Sequence, residues 1–205
     1  MDGHRSRSGR TVNNIRPKQF MEWAKELGIC PDDRYDEPRC LVFSPYREYV
    51  RFWDVPESFN DLAQFSAHVI DGLDPWSYCR IWPRGGYWPS IDELSADKER
   101  ERLFEAAGVT PGTQGAMEYT PEERPSIIAL IANQLHFGCS TGDDIFLIPD
   151  HGRQFIQTDH HNVLHMSFAD PGQLLPFIIH MEAKGYSLPT EMPVETSRKP
   201  QWMQE

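Results

Sequence analysis

Residues 39 to 73 and 143 to 185 run through the same succession of signals, and that succession narrows the folds open to the chain. In the first stretch RCLVF (39 to 43) and EYVRFW (48 to 53) are short β-branched and aromatic segments joined by SPYR, whose proline suits a turn. A helix follows, with Ser58 and Asp61 marking its start, Phe59, Leu62, Phe65, Val69 and Ile70 as its apolar stripe, and Gly72 as its stop. In the second stretch DIFLI (144 to 148), RQFIQT and VLHMSF read as strands separated by the turns PDHG and DHHN, ahead of a helix that reaches Gly185. Its apolar face is Leu174, Phe177, Ile178 and Met181, and Pro176 is expected to delay its regular start. Each helix is approached through an aromatic, an Asp and a Pro: Trp53, Asp54 and Pro56 in one, Phe168, Asp170 and Pro171 in the other. Strands joined by such short turns run antiparallel. The expected class is therefore α+β, a mainly antiparallel sheet with helices packed on it, built around two strand-strand-helix units of the kind a diverged duplication leaves.

Between and around these units the punctuation is local. Pro17 suits the first turn of a helix carrying Phe20, Trp23, Ala24 and Leu27 and stopped by Gly28. WSYCRIW (76 to 82) is an aromatic strand, PRGG a turn, and Ser90 with Glu93 a capping box ahead of the charged helix DKERERLFEAAG. TPGTQGAMEYTPEERP (110 to 125) reads as a linker or long loop, and Ser126 to Phe137 as a helix. The expected division is a flexible basic tail (1 to 14), an N-terminal half (15 to 109), the linker (110 to 125), a C-terminal half (126 to 190) and an irregular tail (191 to 205), with the halves forming one compact body. The segment GDDIFLIPDHG and the last helix resemble bacterial immunity-type domains, in which a Gly-Asp-led strand, a hairpin and a terminal helix close the fold. That likeness covers under a quarter of the chain.

Charge carries functional content. Residues 1 to 18 hold five of the 20 basic residues and one of the 31 acidic ones, which leaves 15 basic against 30 acidic in residues 19 to 205. A body so acidic repels phosphate backbones and favours basic protein partners, so nucleic-acid binding is unlikely. No apolar run approaches the roughly 20 residues that span a bilayer, and no apolar segment follows MDGHRSRSGR as a signal peptide requires. The expected location is cytoplasmic, without membrane contact. Cys30, Cys40, Cys79 and Cys139 stand singly, as reduced thiols do.

Two candidate sites emerge. Residues 148 to 168 hold four of the eight histidines. Asp159, His160, His161 and His165 offer metal ligands there, yet Asp and Asn also serve turns for backbone reasons. His161 and His165 would stand about 13 Å apart on an extended strand, so the turn reading is preferred and no cofactor is expected. The second candidate is an alternation of aromatic and basic residues, Tyr49, Arg51 and Trp53 on one strand and Tyr78, Arg80 and Trp82 on another. If the two strands pair, their stripes make a recognition surface; if helices cover them, they are core. GxSxG, P-loop, HExxH and GxGxxG motifs are all absent. The sequence thus points to a non-enzymatic intracellular binding protein with a basic protein partner, an inhibitor or immunity-type factor. The alternative is a metal-dependent hydrolase using the His-rich segment 150 to 165.

Overall fold

A computed structural model describes residues 13–32, 40–44, 50–95, 97–138, 141–160 and 163–187. The tail 191 to 205, most of the tail 1 to 14, the SPYR turn after Ser44 and the DHHN turn after His160 lie outside these residues. In chain order the elements are β1 (Asn13–Ile15), α1 (Pro17–Glu26), β2 (Ile29–Pro31), β3 (Leu41–Phe43), β4 (Val50–Asp54), α2 (Phe59–Asp71), β5 (Cys79–Pro83), α3 (Ile91–Ser95) and α4 (Lys98–Ala106). They continue with β6 (Ala116–Tyr119), α5 (Arg124–Phe137), β7 (Ile145–Pro149), β8 (Gln154–Asp159), β9 (Val163–Phe168) and α6 (Leu174–Glu182).

Seven strands form one sheet in the order β1-β6-β5-β7-β8-β9-β4, and every pairing is antiparallel, so the class is α+β. Side chains alternate across a strand, and here both faces are covered. Cys79, Ile81, Met117, Leu147, Ile156 and Met166 face a core shared with α2, α4, α5 and α6. Trp82, Ala116, Phe146, Ile148 and Phe155 face a smaller core closed by α1 and the β2–β3 pair. Central β7 is consequently buried at all five positions, which is why IFLIP reads as an unbroken apolar run.

Local signals form as expected. Ser58 Oγ accepts the Asp61 N–H at the start of α2, and Ser90 with Glu93 closes a capping box. The charged helix is α4, which begins at Lys98 under its own cap, Asp97, and buries Arg100 and Phe104 rather than standing wholly exposed. Pro176 does not delay the last helix as expected: α6 starts at Leu174, two residues earlier. A proline there sits in the first turn, where its missing N–H would have had no helical acceptor.

Two expectations are corrected. RCLVF and EYVRFW do not form a hairpin: β3 pairs with β2 (Leu41↔Pro31), and β4 pairs with β9 (Val50↔Ser167). Leu41 and Phe43 join Ile29 in the smaller core, and β4 forms one edge of the seven-stranded sheet. The first strand-strand-helix unit is thus not a paired one, whereas β7, β8 and β9 form the expected meander. Nor is 110 to 125 a linker, since β6 runs through it between β1 and β5. Gly112 and Gly115 turn the chain at positive φ, and Ala116, Met117 and Tyr119 are then buried. The glycines serve the approach to a strand.

Candidate functional site

Strand β5 and Tyr78 just before it place Tyr78, Arg80 and Trp82 beneath α1. The Phe20 ring stacks on Trp82 at 4.4 Å between centroids and 2° between planes, and Trp82 is 8% exposed. The Arg80 guanidinium lies 4.3 Å from the Trp23 ring centroid and 5.3 Å from that of Tyr78, and it pairs across the ladder with Glu118 at 2.8 Å. The alternation read from the sequence is real, but its face is roofed by a helix whose own aromatics complete the stack. Strand β4 is separated from β5 by β7, β8 and β9. The pairing that would have merged the two stripes does not occur. Backbone register sets Arg51 opposite Met166 and Trp53 opposite Leu164, and Tyr49 lies outside the described residues.

The histidine-rich segment divides as its turns do. Asp150 and His151 sit at the β7–β8 turn, where the Asp150 carboxylate accepts the Ser77 N–H and His151 Nδ1 accepts the Arg153 N–H. Asp159 and His160 sit at the other end of β8, about 20 Å away for six extended residues. His161 lies outside the described residues.

Around Asp159 and His160 a polar cluster gathers on the sheet face that α1 covers. Asp144, just before β7, is 1% exposed. It receives Arg84 Nη1 at 2.7 Å, the His160 backbone N–H at 2.9 Å and His160 Nδ1 at 3.2 Å. Asp159 Oδ1 lies 3.8 Å from His160 Nδ1, and Asp159 Oδ2 lies 3.3 Å from His165 Nε2. The bond to Asp144 raises the His160 pKa, against an opposing effect of burial. Burial raises Asp144, while His160 and Arg84 pull it back. Burial also keeps the nearby Cys40 thiol protonated, with Arg84 acting the other way, so Cys40 is not an activated nucleophile. Asp144, Asp159 and His160 can each offer one ligand atom within 4.8 Å of the others.

Sequence reasoning missed Arg84 and Asp144, because adjacent acids such as Asp143 and Asp144, in a chain with 31 of them, are most often solvated surface. Both are buried: Asp143 meets Arg100 at 2.5 Å and Asp144 meets Arg84, so the pair clips α4 on one side and the end of β5 on the other. The available signal was parity, since Asp144 shares a face with Phe146, two residues on.

No protein-family model, curated protein or solved structure matches the chain.

Proposed function

We propose that the protein is a non-enzymatic intracellular binding protein whose acidic body engages a basic protein partner, in the manner of an inhibitor or immunity-type factor. The supporting observation is where the charges lie. The more buried arginines are neutralised in place, Arg80 by Glu118, Arg84 by Asp144 and Arg100 by Asp143. The excess of acid over base is therefore carried on the outside, by residues such as Glu22, Glu26, Glu57, Asp92, Glu105 and Glu182, all exposed. A surface of that sign speeds encounter with cationic partners and repels anionic ones. No helix among the described residues is long and apolar enough to cross a membrane. The hydrolase reading gains nothing from His151, which sits at the opposite end of β8, or from Cys40.

Affinity capture repeated at about 50 and 500 mM NaCl tests this. Basic proteins held at low salt and released at high salt are the expected result. Acidic captured proteins, or retention indifferent to salt, would overturn it.

A further inference from the structure

The cluster at the end of β8 has an internal order that a turn does not require. On Asp144 the outer oxygen, Oδ2, is held by Arg84 Nη1 at 2.7 Å, while Oδ1 stands 3.2 Å from His160 Nδ1. The same ring nitrogen is 3.3 Å from Oδ2, so the imidazole faces the whole carboxylate. On Asp159 the division recurs: His165 Nε2 lies 3.3 Å from Oδ2, and Oδ1 turns towards His160 Nδ1 at 3.8 Å. Two carboxylates, one just before β7 and one at the end of β8, thus each have one oxygen engaged by a basic side chain and the other within reach of a single imidazole nitrogen, that of Asp144 also accepting the His160 backbone N–H at 2.9 Å. We propose that Asp144, Asp159 and His160 form a three-ligand site for a divalent transition metal of the zinc class, with Arg84 and His165 fixing the ligating carboxylates from behind.

The two separations from the imidazole suit that chemistry, and the three ligand atoms lie within 4.8 Å of one another. Tetrahedral zinc with bonds of about 2.0 to 2.1 Å sets its ligand atoms about 3.3 Å apart, and the separations of His160 Nδ1 from the two inner oxygens, 3.2 and 3.8 Å, bracket that value. In that site the metal would stand where a hydrogen on Nδ1 would otherwise point at the carboxylates. Ligating carboxylates are commonly hydrogen-bonded through their second oxygen, and this outer shell orients them before the metal arrives. Two carboxylates and one imidazole suit zinc, cobalt or manganese better than calcium, which takes six to eight oxygens. This proposal rests on the geometry of the cluster and not on the charge of the body, so failure of either proposal leaves the other standing.

The test uses the full-length, untagged protein stripped with chelator and titrated with zinc chloride at neutral pH by calorimetry. One site is expected, with a dissociation constant of about 10 µM or tighter. The melting temperature should rise by about 5 °C or more at a hundredfold excess over that constant. His160→Ala should weaken binding by at least about a hundredfold, and His165→Gln, which removes only an outer partner, by about tenfold. Melting of each metal-free variant confirms its fold. If His160→Ala does not fold, Asp159→Asn takes its place, and a loss of at least tenfold is expected. No binding heat with no thermal shift, or wild-type affinity in the ligand variants, would overturn the proposal and leave the cluster as a clamp on the turn.

Discussion

His151 Nδ1 accepts the Arg153 backbone N–H at 3.0 Å, a bond that a protonated imidazole cannot make. Burial depresses its pKa and, separately, that of His136. For a histidine whose folded value lies below its unfolded one, the stabilisation is complete above the unfolded value of about 6.5 and is lost as pH falls through the folded value. Wild type should accordingly lose more stability between about pH 7.5 and pH 5 than the double variant His136→Gln/His151→Asn, in which the introduced amide oxygen still offers an acceptor to Arg153. Urea unfolding at the two pH values checks this, and equal losses would refute it. Asp144 makes a second case. Asp144→Asn keeps the shape but strips the charge from a partner of Arg84, whose side chain is 15% exposed. Breaking such a pair from one side leaves the other ion poorly solvated, at about 3 kcal/mol, which the urea midpoint should register.

Helix α1 and strand β1 depend on close approach. Truncating Trp82 to Ala removes the ring on which Phe20 stacks and should destabilise by roughly 3 to 5 kcal/mol; a loss under about 1 kcal/mol would mean that α1 does not roof β5. Gly115 holds φ +105°, and a Cβ there would meet the Ile15 carbonyl oxygen of β1. Gly115→Ala should therefore cost more than about 2 kcal/mol, and amide exchange should quicken first at Asn13 to Ile15. These cases mark what the sequence discloses. Caps and apolar periods are properties of neighbouring residues, so α1, α2, α5 and the β7–β9 meander were legible. Partners of strands are not: nothing within LVF says that it joins ICP, or within VRFWD that it joins VLHMSF. The same limit governs the sites. Tyr78, Arg80 and Trp82 announced a stripe, but the helix above it lies more than fifty residues away in sequence. Asp159, His160 and His165 announced ligands by residue type, while Asp144 and Arg84 flank the ends of other strands and joined them only through the sheet.

The whole chain carries a formal charge of −11 at neutral pH. Repulsion among exposed acids acts through solvent and is screened by salt, whereas the largely buried pairs of Arg80, Arg84 and Arg100 are screened far less. The first effect should win, so the melting temperature should climb as sodium chloride rises from about 20 to 300 mM; a fall would show that ion pairs dominate. The sheet's order has a consequence in time. Its five interior strands come from residues 79 to 168, and its two outermost, β1 and β4, come from residues 13 to 54. Val50 must wait for Ser167, its partner in the ladder. At about 5 to 20 residues per second, a ribosome exposes β4 on the order of ten seconds before β9 exists. Throughout that interval β4 is an unpaired edge facing the other nascent chains of a polysome, and synthesis, more than the finished molecule, is where this fold is most open to aggregation.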